Sequence, residues 1–250
     1  MKQIEPQAML ERIRPKRLCY LQECMDLSLP EKIAQWAIQC YANEDETCLA
    51  VTWNYPAWNV ASFVGYDKNF IREVLRQFDN CKECTVGFSL PPGGKLPDIK
   101  LRGLRHNGVY ESFTYEADVP DNPIEPHIQL LEKEQFALLQ AVLPDHDNLD
   151  HQELALAWLE NGQPMGYISF GPMFEDIWDV GNIFTLPEYR NRGIGAALAY
   201  AYLKTMRARG LVPYYSGVSN PYSAEAARKA GFRLCCTSCA YKYKRPKFRP

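Results

Sequence analysis

The sequence lacks long hydrophobic runs, an excess of charge of one sign and a dense cysteine pattern. No stretch of about eighteen apolar residues occurs, so we expect no membrane-spanning helix, and the first residues lack the apolar core of a signal peptide. The 28 basic residues nearly balance the 30 acidic ones, which gives a net charge of −2. Without a basic excess, we expect no binding to nucleic acid or to an anionic membrane.

The nine cysteines are an odd number spread over 250 residues, unlike the framework of a small secreted protein. We therefore expect reduced thiols and a cytoplasmic protein. Two pairs have the C-x-x-C spacing of zinc ligands, namely Cys81 with Cys84 and Cys236 with Cys239. The second pair lies in a predicted strand, where positions three apart face opposite sides and do not easily hold one ion. We predict no metal site.

The N-terminal half alternates helix and strand patterns. They predict helices from Pro30 to Tyr41 and from Asn69 to Phe78, and strands over 48–53, 58–64, 85–89 and 109–117. Three prolines in the segment 119–126 disfavour both helix and ladder pairing. We therefore predict an N-terminal α/β domain over 1–120, a linker over 121–127 and a second domain over 128–250.

The C-terminal half has a clearer order of elements. The pattern predicts a helix from Ile128 to Val142 and then a hairpin that turns at Asn161-Gly162. A strand from Trp178 to Leu186, an alanine-rich helix ending near Arg209 and a strand from Tyr214 to Val218 follow. Because this is a strand–helix–strand crossover, its two strands should be parallel.

The most informative segment joins the first of these strands to the helix. It reads Phe184-Thr185-Leu186-Pro187-Glu188-Tyr189-Arg190-Asn191-Arg192-Gly193-Ile194-Gly195-Ala196. Gly193 and Gly195 allow the backbone to approach a ligand, and the unpaired N–H groups of the first helical turn carry the positive end of the helix dipole. With Arg190 and Arg192 at the same place, the segment predicts a pyrophosphate site. The alternative is a simple tight turn with two solvated arginines.

Two other phosphate-binding loops do not fit these residues. A P-loop requires Gly-Lys-Ser/Thr, but Ala196 follows Gly195. A dinucleotide fingerprint requires a third small residue at the position that Leu198 occupies. The segment instead resembles the GNAT superfamily of acyl-CoA-dependent N-acyltransferases, whose signature Q/R-x-x-G-x-G/A it carries in residues 190–195.

The resemblance extends from Ile128 to Lys244, and within it the segments 184–190 and 211–215 are similar to glycine N-acyltransferase-like proteins. It implies an α+β (mixed α/β) GNAT fold. That fold has a central, twisted, mostly antiparallel sheet and one parallel, splayed strand pair, here preceded by a degenerate GNAT-like N-terminal domain. It also implies acetyl-CoA or another acyl-CoA as co-substrate, no metal, and a small-molecule amine or amino acid as acceptor. A homodimer is left open.

The same resemblance implies the roles of individual residues. The acyl-CoA would be held by the end of the first parallel strand, the glycine loop and the turn after the second strand, that is by Phe184, Thr185, Leu186, Arg190, Asn191, Arg192, Gly193, Ile194, Gly195, Ala196, Asn220 and Ser223. Asp179 matches the position of the basic glutamate proposed for glycine N-acyltransferases and is the candidate base. Glu175 or Asp176 could replace it through water.

The sequence lacks the tyrosine that in many relatives donates a proton to the leaving thiolate. Many relatives have a tyrosine at the position of Ala227, so that Tyr222, Tyr215 or water would have to serve here. The sequence therefore predicts an N-acyltransferase, and more narrowly an N-acetyltransferase, in which the amine attacks the thioester directly. The alternative is a non-catalytic acyl-CoA-binding sensor or regulatory module, which the missing tyrosine favours.

Overall fold

The computed structural model describes residues 1–78, 83–95, 99–115, 122–142 and 149–244. The chain divides into two compact units. The first comprises residues 1–110 together with the chain from Cys235 onward, and the second comprises residues 111–234. Each unit contains helices packed on a sheet.

The described residues form twelve strands and six α-helices. The strands are β1 (Lys2–Ile4), β2 (Gln39–Ala42), β3 (Leu49–Asn54), β4 (Asn59–Val64), β5 (Cys84–Leu90), β6 (Leu104–Tyr115), β7 (Ile128–Glu132), β8 (Leu154–Glu160), β9 (Gln163–Phe174), β10 (Ile177–Thr185), β11 (Val212–Val218) and β12 (Phe232–Tyr243). The helices are α1 (Pro6–Ile13), α2 (Leu21–Leu27), α3 (Pro30–Gln35), α4 (Lys68–Arg76), α5 (Ile194–Ala208) and α6 (Pro221–Lys229). In the part of the chain that the structure describes, no helix is long and apolar enough to span a membrane.

The first unit is built on strands in the order β1-β2-β3-β4-β5-β12. β4 and β5 are parallel and are connected by α4, while the other pairs are antiparallel. A cluster of buried aromatic and aliphatic side chains fills the space between α4 and the sheet and includes Phe63, Phe70, Val74 and Phe88. The order of strand, helix and strand predicted for residues 48–89 is confirmed.

The second unit is built on strands in the order β6-β11-β10-β9-β8-β7. β10 and β11 are parallel with α5 as the crossover, as predicted, and the other described pairs are antiparallel. The predicted hairpin of β8 and β9 is confirmed, and it turns at Asn161 and Gly162, which have φ of 52° and 76°. Two successive residues with positive φ are what a tight turn between right-twisted strands requires.

The last strand is grouped differently from the predicted domains. Sequence placed residues 232–243 in the second domain, but the compact units count the chain from Cys235 with the first. The reason is that β12 pairs with β5 from Thr237 with Leu90 to Tyr243 with Cys84. The predicted linker over 121–127 lies inside the second unit, and Asp121 falls outside the described residues.

Two predicted helices are wrong in part. The helix expected over 30–41 ends at Gln35, because Ala37 adopts a left-handed φ of 44° and the following residues form β2 against β3. The helix expected over 128–142 begins with a strand, β7, which pairs with β8. A 3₁₀ helix follows over Lys133–Ala141, and Glu132 and Gln135 form its capping box. Short apolar runs fit a strand or a helix equally well, so pairing partners decided these cases.

Candidate functional site

The parallel strands β10 and β11 are paired at their beginning and then diverge. Ile177 aligns with Val212, and the last aligned pair among the described residues is Asp179 with Tyr214. On its other edge, β10 stays paired with β9, where the register shifts between Val180 and Asn182. Gly181 is thus the extra residue of a β-bulge, which bends β10 at the point of divergence.

Side chains replace the ladder hydrogen bonds where the strands diverge. The Val212 N–H donates to the Asp176 carbonyl at 2.8 Å, which is an ordinary backbone bond. Two residues later, the Tyr214 N–H donates at 3.0 Å to the hydroxyl of Tyr202 on α5. That hydroxyl lies 2.6 Å from the Trp178 carbonyl, so a side-chain oxygen stands between the two backbone groups. The helix that covers the sheet thereby begins to separate the strands.

Tyr202→Phe should destabilise the protein by about 1–3 kcal/mol, because the buried Tyr214 N–H would lose its acceptor. Tyr200→Phe is the matched control on the same helix, since the Tyr200 hydroxyl donates to the Asn122 carbonyl at a more exposed position. Urea unfolding of both variants would measure the difference. Equal free energies of unfolding for the two variants would contradict the bridging role of Tyr202.

Asp179 provides the second and wider bridge. One carboxylate oxygen accepts from the Ser216 N–H at 3.1 Å, and the other accepts from the Ser216 hydroxyl at 2.6 Å. Burial raises the pKa of Asp179 from 3.8 to about 6, and the hydrogen bonds from Ser216 oppose this rise. The carboxylate is therefore mostly ionised at neutral pH and can take up a proton close to it.

Beyond the Asp179 bridge, the strands enclose a cleft of about 200 Å³. Its walls are Val180–Ile183 of β10 and Tyr215–Val218 of β11, and the turn residues Ser219, Asn220 and Ser223 close one side. Ser216 is part of this lining, and its hydroxyl connects the cleft with the Asp179 carboxylate. The bridge thus places a proton acceptor behind the wall of the cleft.

Tyr215 brings a second titratable group to the cleft. Its hydroxyl is buried and has no hydrogen-bond partner of ordinary geometry among the described residues. Burial raises the pKa of Tyr215 to about 12, the side chain of Ser223 opposes this rise, and the charge of Asp179 adds to it. The hydroxyl therefore stays protonated at neutral pH and can donate a hydrogen bond.

The glycine loop leaves the N-terminus of α5 open. Gly193 is the N-cap residue with a left-handed φ of 82°, and no side chain caps the helix. A Cβ atom at Gly193 would meet nothing within 4 Å, so no other residue packs against this position. The first N–H groups of α5 can therefore donate to an anion such as a phosphate.

Two exposed arginines flank this opening. The Arg190 Nε donates to the Thr185 carbonyl at 3.1 Å, and its guanidinium lies 5.7 Å from the centre of the Phe184 ring. The Arg192 guanidinium lies 4.8 Å from the centre of the Tyr189 ring. Since these contacts orient the two side chains and leave further N–H donors in solvent, both can contribute positive charge to a bound phosphate.

The predicted cofactor contacts at the end of β10 are not equivalent. The Leu186 N–H donates to the Met165 carbonyl at 2.9 Å and is thus engaged beside β9. Because N–H groups alternate between the two edges of a strand, the Thr185 N–H lies on the opposite edge, toward the cleft, whereas Phe184 faces the same edge as Leu186. Thr185 is therefore the residue of the three whose amide best fits a ligand in the cleft.

The turn after β11 holds the remaining predicted residues. The Asn220 side chain accepts from the Tyr222 N–H at 2.9 Å and so caps α6. Ser223 lines the cleft, whereas the Tyr222 side chain is 78% exposed. Ala227 is fully buried. Ser216 and Tyr202 were not predicted, since a serine in a strand and a tyrosine in an apolar helix stripe carry no motif.

The first unit contains a similar crossover without these features. β4 and β5 stay paired over five positions, from Asn59 with Cys84 to Phe63 with Phe88. Their crossover helix α4 is capped by Asp67, whose carboxylate accepts from the N–H groups of Asn69 and Phe70 at 2.8 and 3.1 Å. A negative charge thus occupies the helix N-terminus and would repel a phosphate. Of the two crossovers, the one in the second unit offers an anion site.

Comparison with known proteins gives a consistent result. Residues 114–232 match the Acetyltransferase (GNAT) family. A GNAT-family acetyltransferase from Colwellia psychrerythraea is 12% identical, with 97% of this chain and 99% of that chain covered and a TM-score of 0.58. A GCN5-related N-acetyltransferase from Sphaerobacter thermophilus is 14% identical, with 99% and 96% covered and a TM-score of 0.57. No curated protein sequence gives a significant match.

A tandem GNAT protein from the clavulanic acid biosynthesis pathway is 11% identical, with 92% of this chain and 89% of that chain covered and a TM-score of 0.55. Identities this low show the fold alone. The predicted mixed α/β GNAT fold is thereby confirmed, and residues 114–232 match the GNAT acetyltransferase family. This match indicates acyl transfer from acyl-CoA.

Proposed function

We propose that the protein is an N-acyltransferase, because residues 114–232 match the GNAT acetyltransferase family. It transfers an acyl group, expected to be acetyl, from acyl-CoA to a primary amine of a small molecule or amino acid. The observation that carries the proposal is the parallel strand pair that opens beyond Asp179 into a cleft beside an uncapped, glycine-led helix. The cleft suits the pantetheine arm, and the helix N-terminus suits the pyrophosphate.

The residues that hold the acyl-CoA follow from this arrangement. In this proposal the N–H groups of residues 191–196 and the side chains of Arg190 and Arg192 hold the pyrophosphate at the uncapped N-terminus of α5. Thr185 lies two residues beyond Ile183, where the lining on β10 ends, and its amide is proposed to meet the arm there, while Asn220 and Ser223 line the cleft after β11. The narrower similarity to glycine N-acyltransferase-like proteins is part of the proposal and supports an amino acid as acceptor.

Asp179 acts as the base in this proposal, with Ser216 as the relay. The ammonium of the acceptor gives a proton to the Ser216 hydroxyl oxygen or a water beside it, and the Asp179 carboxylate takes the hydroxyl proton. The free amine forms the C–N bond and the C–S bond breaks. A carboxyl with a pKa of about 6 is roughly 4 units less basic than an amine. Removal of this proton costs about 5 kcal/mol and must precede attack, because an ammonium nitrogen has no lone pair. After attack the nitrogen is far more acidic, so its second proton is lost easily.

A proton for the departing thiolate can come from Tyr215 or from Tyr222. Tyr215 is favoured because it is part of the cleft lining and its hydroxyl is buried, whereas the Tyr222 side chain is largely exposed. Tyr215→Phe should lower kcat by about tenfold or more, and Tyr222→Phe should change it less than about twofold. Steady-state kinetics with one acyl-CoA and one amine would measure both. A larger loss in Tyr222→Phe would reverse the assignment.

The first unit fits a degenerate second copy of the fold. The tandem GNAT protein of similar structure supports this interpretation, as do the crossover β4–α4–β5 and its closed, acid-capped form. The predicted domains over 1–120 and 128–250, a cytoplasmic location and a homodimer belong to the same proposal.

The test is a panel of amines and amino acids incubated with acetyl-CoA, propionyl-CoA or benzoyl-CoA, with thiol release and the mass of the product as readouts. We expect thiol release that depends on the amine and a product heavier by one acyl group. The second candidate function, a non-catalytic acyl-CoA sensor, is favoured by the alanine at position 227. Tight acyl-CoA binding without turnover on any amine would support the sensor and overturn the acyltransferase.

A further inference from the structure

The first unit contains a pocket of its own, with a volume of about 230 Å³. It lies against β4, β5, β12 and α2, within one compact unit, and it is lined by Glu23, Trp53, Tyr55, Ser62, Ser89 and Ser238 among others. The proposed acyl transfer uses none of these residues. The lining combines one acidic side chain, aromatic rings and hydroxyl groups, and it contains no lysine, arginine or histidine.

Glu23 is the unusual member of this lining, because it is only 9% exposed. Among the residues that the structure describes, no basic side chain lies within ion-pair distance of its carboxyl group. Burial raises the pKa of Glu23, the side chain of Ser62 opposes this rise, and the charge of Asp26 adds to it. A carboxyl group in this setting is stabilised in its charged form by any cation that enters the pocket.

Asp26, one helical turn away on α2, shows what a compensated buried acid looks like. Its carboxylate accepts from the Lys32 ammonium at 3.1 Å, from the Trp53 indole N–H at 3.1 Å and from the Gln22 amide at 2.8 Å. Glu23 faces the pocket without a comparable set of donors. Both acids lie on α2, but only the carboxyl group of Glu23 is left to interact with a ligand.

Aromatic rings stand beside Glu23 and at the surface next to it. Trp53 and Tyr55 are part of the lining. Tyr55 also contacts the ring of Trp36 at 5.3 Å and that of Trp58 at 5.7 Å, and Trp58 is 55% exposed. Aromatic faces attract cations that have been removed from water, and a large exposed tryptophan beside a pocket is typical of a binding surface.

We propose that this pocket binds a small organic ammonium ion, with the charged group against Glu23 and an apolar or aromatic body against Trp53 and Tyr55. The ammonium has three N–H donors, and besides the carboxylate the lining offers the hydroxyl oxygens of Ser62, Ser89 and Ser238 as acceptors. A phosphate or a carboxylate is excluded, because Glu23 would repel it and no basic residue in the lining would attract it. The proposal is independent of the acyl transfer assigned to the second unit.

The test uses the full chain and two probes of nearly equal shape, benzylamine and benzyl alcohol. The readout is the NMR signal of the Trp53 indole N–H, identified by its loss in Trp53→Phe, during titration into the millimolar range. We expect benzylamine to shift this signal with saturation and benzyl alcohol to bind at least tenfold more weakly. Equal effects of both probes, or no saturable shift with benzylamine, would overturn the proposal. The binding comparison itself is made on the wild-type protein, and Trp53→Phe serves only to assign the signal.

Glu23→Gln adds a matched variant, since it removes the charge and keeps the shape. It should weaken benzylamine binding at least tenfold and leave benzyl alcohol unaffected, whereas Glu31→Gln, a change at an exposed acid on α3, should alter neither. Unchanged benzylamine binding in Glu23→Gln would overturn the role of Glu23. Thiol release from acetyl-CoA, measured on the same samples, reports separately on the second unit, so failure of one proposal does not resemble failure of the other.

Discussion

Asp179→Asn should lower kcat by about 10²- to 10⁴-fold and leave the affinity for acyl-CoA within about twofold. The substitution is almost isosteric, and the asparagine oxygen can still accept from the Ser216 N–H. The asparagine NH₂ can donate to the Ser216 hydroxyl oxygen, because a serine hydroxyl both donates and accepts. The bridge between β10 and β11 is thereby kept, while the group that takes the proton is lost.

Kinetics and binding separate a chemical role of Asp179 from a structural one. Thiol release with a competent amine gives kcat, and calorimetry with CoA gives the affinity. Ser216→Ala is the informative companion, since it removes the hydroxyl relay and keeps the carboxylate, so its loss of kcat should be smaller. Unchanged turnover in Asp179→Asn would remove this residue from the mechanism. Parallel losses of turnover and CoA affinity would make it a structural bridge only.

The pH dependence of Asp179→Asn gives a second, independent readout. Burial raises the pKa of the folded-state carboxyl to about 6 from 3.8, so wild-type kcat should fall as the pH drops through about 6. The variant should lack this limb. Between pH 3.8 and about 6, the Asp179 carboxyl holds more protons in the folded state than in the unfolded state. Its contribution to the free energy of unfolding therefore falls as the pH rises. The variant lacks this loss and should be at least as stable as the wild type at pH 7.

The crossover could be predicted because several local signals agree. Pro187 ends the strand, Gly193 begins the helix, and the apolar positions of α5 repeat at helical spacing. The segment 128–142 lacked this agreement, because its first five residues are a strand only by pairing with β8. Ala37 gave no signal either, since alanine favours helix and its positive φ is imposed by the surrounding fold.

Part of the candidate site is formed by residues that are contiguous in sequence, and part by contacts between residues that are distant in sequence. The glycine loop is continuous in sequence, so its residues could be identified from their order alone. The bridges that open the cleft join residues that are far apart, such as Asp179 with Ser216 and Tyr202 with Tyr214, which are 37 and 12 positions apart. No sequence period relates such partners, and they become visible only when α5 and the two strands are in place.

The two crossovers show that topology alone does not create an anion site. Both consist of parallel strands joined by a helix, but Asp67 caps one helix and Gly193 leads the other. The capping carboxylate satisfies two N–H groups of its own helix, and these are the donors that a phosphate would need. Within the same topology, a capping aspartate thus occupies one helix N-terminus, and a left-handed glycine leaves the other uncapped.

Gly193→Val should raise the Kd for acyl-CoA by at least tenfold, which is about 1.4 kcal/mol. The φ of 82° at this residue costs a residue with a side chain about 1–2 kcal/mol, and a β-branched side chain is especially strained there. Relief of this strain would turn the first N–H groups of α5 away from the phosphate position. The new side chain would also enter the open space in front of the helix.

Gly210→Val is the control that isolates the binding effect. Gly210 follows the other end of α5 with a φ of 70°, and a Cβ atom there would also meet nothing within 4 Å. Both variants should therefore lose a similar free energy of unfolding, but only Gly193→Val should lose affinity for CoA. A wild-type CoA affinity in Gly193→Val would place the pyrophosphate elsewhere. Equal losses in both would show that affinity follows stability, because the loop then contributes no more than the far end of the helix.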